Sequence, residues 1–199
     1  LLKANERSMA SLMHANNEVG TISDMERIGD LCEHYNAIYH ADTVQTMGHY
    51  RHDLGKLKAH FMVCAAHKLH GPKGIGFLHV NHKVKIKPFI YGGSQERNMR
   101  GGTENVYGIV GLAKALELAY TNMDAHHSQI QELKTYMIGQ LKENVPGIEF
   151  NGEIDPVKSL YTVLNVSFPC SDMADMLLFN LDIAGISASG GSACSSGSN

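Results

Sequence analysis

One lysine lies in a short polar loop between two apolar runs, where its amine could act as a nucleophile. The loop covers residues 65–74 and contains Lys68; the apolar runs are 60–64 and 75–80. This pattern predicts a strand, a tight loop and a strand. Burial at a strand end lowers the pKa of a lysine amine, which can then form a Schiff base with a carbonyl substrate or with pyridoxal phosphate. A Gly-Pro hairpin with solvated lysines explains this segment equally well, so both interpretations stay open.

Two groups upstream of Lys68 have the types that a pyridoxal phosphate site needs. Such an enzyme uses a carboxylate opposite the pyridine nitrogen, because a protonated ring accepts electrons from the substrate Cα. Asp42 follows an apolar run and suits this role, and Gln45, one turn later, could donate a hydrogen bond to the phenolic oxygen. His67 could contact the ring or the phosphate. Lys68 is nearer the strand end than Lys73, which we expect to face solvent.

A thiol near the end of the sequence lies in a stretch of small residues. Cys194 is surrounded by Gly, Ser and Ala, and a loop of this kind packs poorly and can move. A catalytic thiol needs such a mixture of exposure and mobility. An ordinary exposed cysteine would have the same neighbours, so the pattern leaves both possibilities open.

A glycine-rich segment carries two arginines. Glycine pairs flank Arg97 and Arg100, and a segment of this kind could wrap around an anion. Thr103 lies where it could cap a helix. A loop with solvated arginines is the alternative.

The elements that would position these groups follow from the hydrophobic pattern. Strands over 11–14 and 37–41, joined by a helix over 24–36, form a βαβ unit on a parallel sheet. Ligands of such sheets bind at the carboxyl ends of the strands. Asn17, Asp42 and Lys68 all follow predicted strands, so we expect an amide, a carboxylate and an amine at one edge of an α/β domain.

The rest of the chain reads as further helices and a second, smaller unit. Ser23 and Glu26 have the spacing of a capping box for the first helix. The division into domains is expected at 1–122, the larger domain, and 123–199, part of the smaller one. The other predicted helices are 104–120, 124–143 and 172–181, and the other predicted strands are 148–150, 163–168 and 183–188.

Composition limits the class of protein. The chain has 199 residues, 43% of them hydrophobic, and a net charge of -3, which gives no electrostatic footprint for nucleic acid or an anionic membrane. Its four cysteines are far apart with no CxxC, which argues against zinc and disulfides and favours a reducing, cytoplasmic setting. No spacing typical of metal ligands is present, so no metal is expected. Both ends lack a closing element, and we expect an internal piece of a longer protein.

Five stretches, in order, give the sequence a family resemblance. These stretches are MHANNEVG, YHADTVQTMG, AAHKLHGPKGIG, RGGTENVYGIVG and SASGGSACSSGS. With them the sequence resembles the cysteine desulfurases of the NifS/IscS type, which are fold-type I pyridoxal phosphate enzymes of aminotransferase class V.

The resemblance implies a role for each candidate residue. Lys68 would hold pyridoxal 5'-phosphate covalently and then move the substrate Cα proton, and Cys194 would accept the sulfur as a persulfide. The remaining cofactor contacts would be Asp42 at the pyridinium, Gln45 at the phenolic oxygen, His67 beside the cofactor, Asn17 near ring and substrate, and Thr103 at the phosphate across a homodimer interface.

The implied reaction converts L-cysteine to L-alanine and passes sulfur to an acceptor. That acceptor would be an iron–sulfur scaffold or a tRNA-thiolation protein, so the resemblance implies a role in sulfur transfer and iron–sulfur cluster biogenesis. Alternatives are a selenocysteine lyase, another class V aminotransferase-like enzyme, or a non-catalytic partner in iron–sulfur assembly.

The sequence departs from the family pattern in two ways. The family usually has a phosphate-binding serine two residues before the histidine, where this chain has Ala65; a hydrogen bond to a charged group is worth about 1.5–3 kcal/mol. The 199-residue sequence also lacks the family's glycine-rich phosphate loop, its ring-stacking histidine and its carboxylate-binding arginine. We therefore expect cysteine turnover from the full-length protein rather than from this piece alone.

Overall fold

Ten helices and strands make up the part of the chain that the computed structural model describes, which is residues 1–5, 7–169 and 176–191. Short 3-10 helices also cover Leu2–Ala4 and Ala66–Leu69. The elements, in chain order, are β1 (Met9–Met13), α1 (Met25–His34), β2 (Ile38–Asp42), β3 (Phe61–Ala65), β4 (Gly76–Val80), α2 (Gln95–Asn98), α3 (Val106–Asn144), β5 (Glu149–Phe150), β6 (Val166–Ser167) and α4 (Leu177–Ile183).

The chain forms two compact units. Unit 1 contains residues 1–15 and 23–127, and unit 2 contains residues 16–22 and 128–199. The short segment 16–22, which follows β1, therefore packs with the C-terminal part of the chain. The domain division expected at residues 122 and 123 stays a prediction.

Unit 1 is built on a four-stranded sheet in the order β1-β2-β3-β4. β1, β2 and β3 are parallel, as the βαβ pattern predicts, and β4 runs antiparallel to β3. Met13 and Asp42 are register partners, and so are Asp42 and Val63. The carboxyl ends of three neighbouring strands therefore meet at one edge.

The core of unit 1 lies between the sheet and its helices. Cys32 on α1 is buried in it, as its position on the apolar face predicts, whereas Leu31 of the same predicted face is exposed. α1 begins differently from the prediction: the side chain of Asp24, not Ser23, accepts a hydrogen bond from the Arg27 N–H. The carboxylate reaches the third helical residue directly, which is the N-cap geometry.

α3 is one helix of 39 residues, so the predicted break between 120 and 124 is wrong. Nothing in residues 121–123 forbids helical backbone, because they include neither Gly nor Pro. The predicted Thr103 cap is also wrong, since the Oδ1 of Asn105 accepts the hydrogen bond from the Gly108 N–H at 3.0 Å. Within the described ranges, no helix is long and apolar enough to cross a membrane.

Unit 2 contains α4 and the hairpin-like pair β5–β6, which is antiparallel. The strand predicted over 183–188 is wrong: α4 continues to Ile183, and the Ile186 N–H then donates to the Leu181 carbonyl at 2.8 Å in a turn. That short-range hydrogen bond takes the backbone donor that a ladder would use.

Candidate active site

Asp42 lies at the end of the central strand β2, at the carboxyl edge of the sheet. Its backbone carbonyl accepts a hydrogen bond from the His14 N–H at 2.8 Å. Its side-chain Oδ1 accepts another from the Val44 N–H at 3.0 Å. The half-buried carboxylate is therefore oriented by the turn that follows the strand.

That turn carries Gln45 and is fixed by buried threonines. The Thr43 hydroxyl donates to the Val63 carbonyl of β3 at 2.6 Å, and the Met47 N–H donates to the Thr43 carbonyl at 2.7 Å. Thr43 and Thr46 are fully buried, and Gln45 is half-buried between them in sequence. The sequence analysis did not single out either threonine. The only sign of their role in the sequence is that they lie on both sides of Gln45, close to it along the chain.

Lys68 lies on the 3-10 helix that follows β3 without a break. It is half-buried, whereas Lys73 is exposed as predicted. Buried Leu69 packs this helix into the core, and His70 ends it with a left-handed φ of 65°. The Nε2 of His49 donates to the Lys68 carbonyl at 3.3 Å. The backbone beneath the amine is thus fixed, and His67 beside it is exposed.

Asp42 and Lys68 therefore lie at the carboxyl ends of adjacent parallel strands within one unit. Asp42 ends β2, and the helix carrying Lys68 begins where β3 ends. The carboxylate at this edge can accept a hydrogen bond from a pyridinium N–H, and the amine can attack an aldehyde carbon. The chemistry of the residues present thus fits pyridoxal phosphate.

Asn17 lies in unit 2, in the segment 16–22. Its Nδ2 donates to Glu18 Oε1 at 2.8 Å. The neighbouring Asn16 Oδ1 accepts hydrogen bonds from the N–H groups of Glu18 and Val19, both at 2.9 Å. This network shapes the segment, and a role for Asn17 beside the cofactor stays a prediction.

Thr103 and Cys194 are the remaining predicted site residues, and the structure describes only the first of them. Thr103 is exposed, as are Arg97 and Arg100, and the Gly102 N–H beside them donates to Gln95 Oε1 at 3.1 Å. Cys194 lies outside the described residues.

A histidine that the sequence did not single out follows β1 directly. The Nδ1 of His14 lies 2.8 Å from the Thr46 hydroxyl, and its ring contacts His52 edge-on at 5.2 Å between centroids. Desolvation, and then the charge of His52, lower the pKa of His14 to about 4. At neutral pH the ring is therefore an uncharged hydrogen-bonding group next to Asp42 in the sheet edge.

Comparison with known proteins identifies the family of this fold. The family of class-V aminotransferases matches residues 2–198. The chain belongs to the aminotransferase class-V family. Its fold is accordingly that of the fold-type I pyridoxal phosphate enzymes, as predicted. A NifS-like protein from Rickettsia africae superposes with a TM-score of 0.85 at 30% identity, over 94% of this chain and 51% of that one.

Named class-V relatives include cysteine desulfurases. The chain is 40% identical over 190 residues to "Cysteine desulfurase IscS" of Dictyoglomus turgidum, which covers 96% of this chain and 48% of the relative. A structure described as SspA in complex with cysteine is similar at 28% identity, with a TM-score of 0.73 over 96% of this chain and 52% of that one. The chain thus spans about half the length of the curated relatives it matches.

Proposed function

We propose that the full-length protein is a pyridoxal phosphate-dependent cysteine desulfurase. The observation that carries the proposal is the placement of Asp42 and Lys68 at the carboxyl ends of adjacent parallel strands in a class-V chain. Similarity to named cysteine desulfurases supports cysteine as substrate, and the SspA relative is described as a complex with cysteine.

Each residue has a definite task in the proposed site. When bound, the cofactor would supply an electron-accepting ring conjugated to the substrate Cα. Lys68 would hold the cofactor through its amine and, once released by substrate, would take the Cα proton on Nζ. Asp42 would keep a proton on the pyridine nitrogen, and its Val44 hydrogen bond supports that role by fixing the carboxylate. Gln45, His67 and Asn17 would complete the contacts.

Sulfur transfer is assigned to Cys194. Its thiolate would attack the substrate sulfur, so that an S–S bond forms as the substrate Cβ–S bond breaks. The electron pair of the broken bond stays on the substrate carbon, which is protonated to give L-alanine. The persulfide would then pass its outer sulfur to an acceptor protein of iron–sulfur assembly or tRNA thiolation.

We also propose a homodimer, through an apolar surface of unit 1. Tyr107 at the start of α3 is 91% exposed and Phe89 in the preceding loop is 95% exposed, with Val110 exposed one turn beyond. Burial of such side chains favours association. Exposed Thr103, just before this helix, supports a contact to the second subunit's phosphate site. The reducing cytoplasm is the proposed location, supported by the free thiols of Cys32 and Cys64.

Alanine release from L-cysteine tests the function. The full-length protein, with a thiol reductant, should release alanine and bind a coloured cofactor. Cys194→Ala should lose alanine release and keep the colour, and Lys68→Ala should lose the covalently held cofactor. Unchanged release in Cys194→Ala would sink the assignment of that thiol.

Lys73→Ala is the matched control for Lys68→Ala, because Lys73 belongs to the same connection between β3 and β4 and is exposed. It should keep both the colour and the activity. If the wild-type protein shows no Lys68-dependent absorbance, the result would instead favour a non-catalytic partner in iron–sulfur assembly.

A further inference from the structure

A buried lysine in unit 2 connects the long helix α3 to the loop of residues 158–160. That loop pairs with residues 16–22, the asparagine segment. We propose that Lys134 of α3 is a positioning residue for the segment 16–22, and through it for Asn17. This inference rests on the proposed function only for its effect on catalysis.

Lys134 is unusual in being both charged and buried. It is only 7% exposed, although burying an ammonium group without partners is costly. Within the described ranges it makes no ion pair. Desolvation accordingly lowers the pKa of the Lys134 amine. Its partners are therefore neutral oxygen atoms.

Those oxygen atoms belong to two consecutive buried residues. The Nζ of Lys134 donates to the Ser159 hydroxyl and to the Leu160 carbonyl at 2.9 Å. Ser159 and Leu160 are both almost fully buried, so no water can replace the lysine there without rearrangement. The ammonium group thus fixes this stretch of backbone against α3.

The same stretch pairs with the asparagine segment by backbone hydrogen bonds. The Leu160 N–H donates to the Gly20 carbonyl at 2.7 Å, and the Ile22 N–H donates to the Lys158 carbonyl at 2.8 Å. Thr21 and Ser159 form the isolated antiparallel bridge between them. Whatever fixes Ser159 and Leu160 therefore also fixes residues 20–22.

Farther along, the asparagine segment has little room to shift independently. The Asn165 Nδ2 donates to the Glu18 carbonyl at 3.1 Å, and a Cβ on Gly152 would lie 2.6 Å from the Val19 carbonyl. Residues 18 and 19 in turn donate to Asn16 Oδ1. A displacement at 159–160 is thus transmitted to the backbone that carries Asn17.

Hydrogen exchange in the full-length protein tests the inference without any need for activity. In Lys134→Met the amides of Gly20, Ile22 and Leu160 should exchange on the order of tenfold faster, because the loop opens locally. The amides of β1 to β3 should keep their rates. Lys142→Met is the matched control, since Lys142 is an exposed lysine on the same helix, and it should leave the loop amides unchanged.

A conservative variant and a milder one separate positioning from general stability. Lys134→Arg should restore most of the protection, because it restores the buried donors. If Lys134→Met does not fold, Ser159→Ala removes one acceptor only and should speed exchange at the same three amides. Loop amides that exchange at the wild-type rate in folded Lys134→Met would overturn the inference, as would wild-type rates in Ser159→Ala.

Kinetics test the connection to Asn17. Lys134→Met should lower kcat/KM for cysteine by about tenfold, and the double variant with Asn17→Ala should be no worse than Asn17→Ala alone. Fully additive losses would overturn the connection to Asn17. If the wild-type protein releases no alanine from cysteine, the proposed function fails, and the exchange measurements still decide the role of Lys134 in the loop.

Discussion

The Nδ1 of His14 lies 2.8 Å from the Thr46 hydroxyl, so a side chain at the end of β1 contacts the turn after β2. Burial is the main reason that the pKa of this histidine falls from 6.5 to about 4. The pair joins two strand ends of the candidate site through an uncharged imidazole.

This low pKa predicts loss of stability in mild acid. The unfolded state binds more protons than the folded state between pH 6.5 and about 4, so the free energy of unfolding falls as the pH is lowered through that window. We expect His14 to account for a loss of about 1–3 kcal/mol there. Urea unfolding of the full-length protein at several pH values measures it.

His14→Gln should show a flatter pH dependence than the wild type over this window. The exposed His82→Gln variant is the control and should follow the wild-type curve. An equally steep loss in His14→Gln would contradict the assignment.

Gly76 is required by the approach of β4 to β3. A Cβ at this position would lie 2.2 Å from the Cys64 carbonyl oxygen, a backbone atom that cannot move aside without breaking the pairing. We expect Gly76→Ala to lower the free energy of unfolding by about 2–4 kcal/mol. It should also weaken cofactor binding, because Gly76 pairs with Ala65, the residue before the helix that carries Lys68.

For Gly139→Ala, in the interior of α3, we expect the opposite effect, a rise in the free energy of unfolding. Apart from the surrounding backbone of α3 itself, no heavy atom of the described residues lies within 4 Å of a Cβ there, and alanine is favoured over glycine in a helix by about 0.5–1 kcal/mol. Denaturant unfolding should show a gain of that size. A loss of stability in Gly139→Ala would contradict the prediction.

Alanine variants of Thr103 and Asn105 should have different effects, one on cofactor binding and the other on helix capping. Asn105 caps α3, so Asn105→Ala should lower stability by about 1 kcal/mol. Thr103 is exposed and makes no such cap, so Thr103→Ala should weaken cofactor binding in the proposed dimer and leave thermal stability unchanged. Equal thermal losses in both variants would show that Thr103 supports the helix.

Ala65→Ser should strengthen cofactor binding. Ala65 ends β3 just before the helix of Lys68, and a hydroxyl there would restore a donor for a phosphate. A hydrogen bond to a charged group is worth about 1.5–3 kcal/mol, or roughly tenfold to a hundredfold in affinity. Titration of the apoprotein with pyridoxal phosphate measures the change, and Ala65→Val, which adds no donor, is the control.

Local pattern was sufficient for much of the sheet. The strands β1 to β4 fall within two residues of their predicted positions, because short apolar runs bounded by turn residues report burial directly. The ends of helices were less predictable. Ser23, Asp24, Thr103 and Asn105 are all good capping types, and the choice among them depends on where the backbone first turns helical.

The sequence by itself determined the family and the residue types of the site, since Asp42, Gln45 and Lys68 lie in motifs that are contiguous along the chain. Only the tertiary structure decided the contacts of His14 with Thr46 and of Lys134 with residues 159 and 160. Each joins residues at least 25 positions apart. Burial and pairing of such groups depend on which segments pack together, and the periodicity of one segment carries no information about its distant partner.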